Sequence, residues 1–162
     1  MDEILQACSD VEQKVLPAGQ AILEEGRRAG VLYVLIEGEV EVCKGEYAIH
    51  VISDPGAVFG EISVLLDAPH TATVRTTAQS RFHVIEDPLS FLHARPAVAL
   101  GISRLLAERL HSMTTYLVDL KRQYEDSQDH FGMVDEVLET LGHAQRAGHV
   151  PGSDRDPDPT VS

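Results

Sequence analysis

Phe59-Gly60-Glu61-Ile62-Ser63-Val64-Leu65-Leu66-Asp67-Ala68-Pro69-His70-Thr71-Ala72-Thr73-Val74 is the run from which the rest of the chain is best read. Gly60 leaves backbone space beside Glu61, whose carboxylate only accepts hydrogen bonds and so suits a pair of hydroxyl donors. The short apolar segment Ile62 to Leu66 reads as a helix start, where unused amides and the helix dipole favour an anion. Thr71 adds a hydroxyl donor, and Pro69 fixes φ at the end of the turn.

Around this run, β-type segments alternate with Gly and Pro punctuation. Val11 to Val15 and Gln20 to Leu23 flank Pro17-Ala18-Gly19, and Val31 to Ile36 and Glu39 to Lys44 flank Glu37-Gly38. Tyr47 to Ile52 precedes Asp54-Pro55-Gly56, and Thr71 to Thr77 and Arg81 to Glu86 complete the set. Short strands so spaced predict an antiparallel roll or barrel. From Pro96 the period changes to that of a helix. Leu106, Leu110, Met113, Leu117, Leu120 and Tyr124 recur at spacings of four and three, the pattern of a heptad seam that seeks a partner helix. A second amphipathic segment follows from about His130 to Arg146, with Gly132 near its start.

The quoted run resembles, without a gap, the phosphate-binding cassette of cyclic-nucleotide-binding domains, whose pattern reads roughly F-G-E-[LI]-[AS]-x-L-x-x-x-P-R-[AST]-A-[ST]-V. The resemblance extends over roughly residues 10 to 125 and implies an α+β fold. That fold is an antiparallel, jelly-roll-like β-roll over residues 1–96, followed by a long lid and dimerisation helix over 97–127. A C-terminal helical extension over 128–147 and a disordered tail over 148–162 complete the expected organisation. It also implies a ligand, cAMP or cGMP, held by Phe59, Gly60, Glu61, Ile62, Ser63, His70, Thr71 and Ala72, with Glu61 on the ribose. At position 70 the family has the Arg that holds the cyclic phosphate, and here that residue is His70. An imidazole replaces a forked, permanent cation only when protonated, and its unperturbed pKa is about 6.5. Arg75, or the pair Arg27-Arg28, offers charge from another position. In register with Glu108-Arg109-Leu110, the family's base-reading Thr-Ser pair falls on Met113 and Thr114, so only Thr114 keeps a hydroxyl.

Composition restricts the function classes. The chain has 162 residues and a net charge of −13, an acidic balance that argues against a nucleic-acid partner because a phosphate backbone demands a basic face. The region after the long helix is too short and too acidic for a helix-turn-helix. The two cysteines, Cys8 and Cys43, form no metal or redox motif. The eight histidines show no H-x-H or H-E-x-x-H spacing, and no Ser, Cys or Lys sits in a nucleophile motif, so neither metal nor catalysis is expected. The segment Met1 to Gln6 has no basic or long apolar run, and no stretch approaches the roughly 20 apolar residues of a membrane span. A cytoplasmic, soluble, homodimeric sensor is therefore expected, pairing through residues 99–125 and acting on a partner protein. The alternative is a dimeric interaction adaptor whose degenerate pocket has lost nucleotide binding, a reading that His70 favours. A cupin-like metalloenzyme fits the fold class only.

Overall fold

The computed structural model describes residues 2–125 and 131–147. The expected tail at 148–162 and the join at 126–130 lie outside the described residues. By compactness the chain divides into Met1–Leu106 and Ala107–Ser162.

The first unit begins with α1 (Asp2–Ala7), followed by β1 (Gln13–Leu16), β2 (Ala21–Leu23), β3 (Leu32–Glu37), β4 (Val40–Lys44), β5 (Tyr47–Ile52) and β6 (Val58–Phe59). Then come α2 (Glu61–Leu66), β7 (Thr73–Thr76), β8 (Ser80–Ile85), α3 (Pro88–Ala94) and the start of α4 (Pro96–Gln123). The strands form two antiparallel four-stranded sheets, ordered β1-β8-β3-β6 and β2-β7-β4-β5. This is the roll that the strand spacing predicts, with each expected strand displaced by at most two residues at either end. The two-residue β6 and the helices α1 and α3 were not legible as separate elements.

Strands β3, β6 and β8 of the first sheet are buried on both faces, which is why β3 reads as an unbroken apolar run and not as an alternation, whereas β1 is largely exposed. Leu35, Phe59, Phe82 and Val84 face the second sheet and pack with Ile22, Leu23, Val40 and Val74. Leu32, Val34, Val58 and Ile85 face the other way, onto Ile4 and Cys8 of the N-terminal segment, Leu92 of α3, and Val98 and Ile102 of α4. Two helices stand where one was expected, because both Pro88 and Pro96 open a helix. Arg95 between them is extended at φ −130°, ψ 77°, as the residue before a proline prefers. The second sheet is covered on one side only. Its edge strand β5 leaves Tyr47, Ile49 and Val51 exposed.

A hub of polar contacts ties the two ends of this unit together. Arg95 binds Asp10 with both guanidinium nitrogens at 2.7 and 2.6 Å, donates to the Ala7 carbonyl, and stacks over the Phe91 ring at 4.8 Å. In the second unit α4 continues, and α5 (Phe131–Ala147) is joined to it by the Lys121–Asp135 ion pair. Along the seam, Leu110, Met113 and Tyr124 are exposed, and Leu117 and Leu120 are half-buried.

The Arg95 hydrogen bonds hold the Asp10 carboxyl at about 2, below its ordinary 3.8. A depressed carboxylate contributes stability that is complete above the unfolded pKa and is lost as pH falls through the folded one. Wild type should therefore lose stability faster than Asp10→Asn between about pH 4 and pH 2. Urea-denaturation midpoints measured across that range check this, and parallel curves would show the pair to be without effect.

Candidate functional site

Antiparallel pairing of β6 with β3, Tyr33 opposite Phe59 and Val34 opposite Val58, delivers the chain to the cassette. The Phe59 ring is spent on the core between the sheets. Gly60 then turns the chain in the left-handed region, at φ 95°, ψ −3°, and caps α2. A Cβ at this position would lie 2.5 Å from the Val31 carbonyl oxygen, so close backbone passage and the turn both require glycine. The first intrahelical bond is Val64 N–H to the Gly60 carbonyl at 3.1 Å, which leaves the amides before Val64 outside the helix ladder. Glu61 and Ser63 are buried, whereas Ile62 is exposed. Ser63 donates its hydroxyl to the Ala68 carbonyl and holds the loop closed after α2.

The cassette exit is held by a second segment. Asp67 ends α2 in the left-handed region at φ 50°, and Arg28 donates to its carbonyl at 2.6 Å and its carboxylate at 2.9 Å. Gly26 N–H donates to the His70 carbonyl and His70 N–H donates to the Arg27 carbonyl, each at 2.9 Å. With Gly26 at φ 83°, two residues oppose one, which is the geometry of a glycine bulge. Further along, Lys44 donates to the Thr71 carbonyl at 2.6 Å and pairs with Glu25 at 3.2 Å. Glu25 also accepts from Gly45 N–H at 2.9 Å, and its own N–H donates to the Thr73 hydroxyl at 3.0 Å. The Gly45 amide, and then Lys44, hold the Glu25 carboxyl below its ordinary value. Lys44 and Glu25 lie outside the quoted run, and Asp67 and Thr73 lie within it without a role in the expected ligand site.

His70 departs from expectation. A residue beside a phosphate site is expected to be partly exposed, yet His70 is 5% exposed, and its Nε2 has no hydrogen-bond partner. His70 and the β7 residues Val74 and Thr76 are buried, whereas Thr71 and Arg75 are exposed. Burial pushes the imidazole pKa down. Of the other cations weighed, Arg27 pairs with Glu24 at 2.9 Å, Arg28 is engaged by Asp67, and Arg75 is exposed on β7.

The structure brings Phe59, Gly60, Glu61, Ile62, Ser63, His70, Thr71 and the half-buried Ala72 together in one loop-helix-loop. Thr114 belongs to the second unit, where its hydroxyl donates to the Leu110 carbonyl one turn back at 2.9 Å. A groove of about 270 Å³ lies along α2 and the start of α3, lined by Arg28, Ser63, Asp67, Glu86, Asp87 and Leu89 among others. It includes Ser63 but neither Glu61 nor His70. Among the described residues no group of three or more His, Cys, Asp or Glu side chains is arranged to hold a metal, and no helix is long and apolar enough to cross a membrane.

Residues 13–88 match a family model described as a cyclic nucleotide-binding domain. The CRP-like cAMP-activated global transcriptional regulator of Mycobacterium tuberculosis is 30% identical over 110 residues, 64% of this chain and 49% of that protein. The cyclic AMP receptor protein of Thermus thermophilus is 27% identical over 115 residues, 67% of this chain and 53% of the relative. The chain thus spans about half the length of the curated relatives it matches. Among solved structures, the Thermus thermophilus catabolite activator protein aligns with a TM-score of 0.62 at 25% identity, covering 74% of this chain and 59% of that one. A cyclic nucleotide-binding domain from Methylobacillus flagellatus shares the fold, with a TM-score of 0.59 at 20% identity over 73% of this chain and 82% of that chain.

Gly60→Ala should cost about 1 to 3 kcal/mol, because it combines left-handed backbone strain with a clash against a carbonyl that cannot move aside. Chemical denaturation measures this. A variant as stable as wild type would mean that the turn relaxes without cost.

Proposed function

We propose, from the premise that this chain belongs to the cyclic-nucleotide-binding domain family, that it is a regulatory module whose cassette binds cAMP or cGMP. The observation that carries this reading is the turn at Gly60, which starts α2 with a buried carboxylate at its first position. In this reading Glu61 accepts hydrogen bonds from the ribose hydroxyls, and the amides of Ile62 and Ser63 meet the cyclic phosphate. Thr71 supplies a hydroxyl to the phosphate or the base, and Ala72 leaves room beside it. Ligand binding alters output only by favouring one of two states, and the long helix is the element that presents the change to a partner.

The partner in this reading is a cytoplasmic protein and not DNA, since a net charge of −13 opposes a phosphate backbone. The apolar seam of α4 supports a homodimer through residues 99–125. A specific observation favours a second reading, an adaptor dimer without ligand: His70 is buried with its Nε2 unpartnered, and burial pushes its pKa down, so it is a weaker counterpart to a phosphate than a permanent cation.

Calorimetric titration with cAMP and with cGMP separates the two. Wild type should bind one of them, and Glu61→Gln should weaken that binding about tenfold or more, the effect of losing a charge-assisted hydrogen bond. Absence of binding at millimolar ligand would leave the adaptor standing. The dimer is tested apart from the ligand. Leu110→Asp combined with Leu117→Asp should dissociate it to monomer in sedimentation velocity, whereas wild-type behaviour of the double variant would make the seam intramolecular.

A further inference from the structure

His70 Nε2 is the one buried side-chain nitrogen or oxygen without a hydrogen-bond partner among the described residues. A polar atom in that state is costly, and nothing in the fold rewards it. Both backbone groups of His70 are fixed by the Gly26-Arg27 bulge. Pro69 on one side and the clamped Thr71 carbonyl on the other fix its neighbours.

The charged groups on the surrounding elements are largely committed to one another. On the bulged segment Arg27 pairs with Glu24, and Arg28 pairs with Asp67 at the end of α2. Lys44 of β4 pairs with Glu25. Arg75 on β7 is exposed, and Glu61 at the start of α2 is buried. None of these carboxylates meets the ring through Nε2, so the buried imidazole has no counter-charge there, and burial alone accounts for its lowered pKa. A neutral ring is the form this environment holds.

We propose that His70 is a proton-coupled anchor for the ligand's phosphate, neutral and tucked in when the site is empty and charged on Nε2 when the phosphate reaches it. This rests on the reading of the cassette as a cyclic-nucleotide site. The step balances as one proton taken from solvent per phosphate engaged, with no covalent bond made or broken. Between the lowered pKa of the empty state and the raised pKa of the bound state, affinity falls as pH rises, by up to about tenfold per pH unit. The domain then reports ligand and acidity together, which a permanent guanidinium at this position cannot do.

Two measurements on the full chain test this. Calorimetry with cAMP and cGMP across about pH 6 to 8, in buffers of different ionisation enthalpy, should show uptake of nearly one proton per ligand for wild type. His70→Arg should bind without uptake, and His70→Gln should bind more weakly with a flat pH profile. In the ligand-free protein, the His70 ring resonances, assigned by their loss in His70→Gln, should titrate below the ordinary imidazole value. Binding without proton uptake, a His70→Gln variant that keeps the pH dependence, or a ring that titrates normally overturns the inference and leaves nucleotide binding intact. Failure of both wild type and His70→Arg to bind either nucleotide at any pH removes the reading of the site, and the inference with it.

Discussion

The passage of the backbone beneath the Val31 carbonyl at position 60 is the constraint from which the cassette follows. With 2.5 Å available to a Cβ and a left-handed turn to make, the chain admits only glycine there without strain. Because the turn is fixed, α2 begins at Glu61, so the carboxylate is buried at the first helical position and Ser63 lies where its hydroxyl reaches the Ala68 carbonyl. The same turn depends on β6, whose two residues hold the entry by pairing with β3. The turn is therefore mounted on the β6 edge of the first sheet, next to the buried strand β3.

The exit from α2 is held differently, by charge and hydrogen bonding at the surface. Arg28 to Asp67, Lys44 to Glu25 and the Gly26-Arg27 bulge form a collar that joins the segment after β2, the end of β4 and the segment from Asp67 to Thr73. Exposed ion pairs of this kind contribute little each, roughly 0 to 1 kcal/mol. Their value lies in registration, since each connects segments at least 19 residues apart in the chain through a backbone carbonyl or amide as well as a charge.

How much of this was legible in the sequence depended on whether a feature is local. Strands bounded by Gly and Pro, the helical period from Pro96 and the Gly60-Glu61 turn are written in neighbouring residues, and the sequence agrees with the structure there. Helix α3 was missed because its start at Pro88 lies only eight residues before the stronger start at Pro96. The collar was not legible because it is set by register, including the irregularity between Val42 and Cys43 in the β4-β5 pair. The burial of His70 was not legible because it lies in the turn before β7, where residues 71 and 72 bend and no strand alternation reaches it. The roles of Glu61 and Thr71 toward a ligand are matters of chemistry at the site and rest on the proposal.

Strand β5 has a consequence for the protein in bulk. It closes one side of the second sheet with Tyr47 80%, Ile49 59% and Val51 53% exposed, an open row of backbone donors and acceptors beside an apolar stripe. Edges of that kind template pairing between molecules, and natural sheets commonly blunt them with charge or proline. Here the restraint comes from elsewhere, from the mutual repulsion of copies that each carry a net charge of −13. Repulsion of this sort is screened beyond about 8 Å at physiological ionic strength. Colloidal stability is therefore borrowed from the medium, and concentrated salt withdraws it while leaving every internal contact of the roll in place.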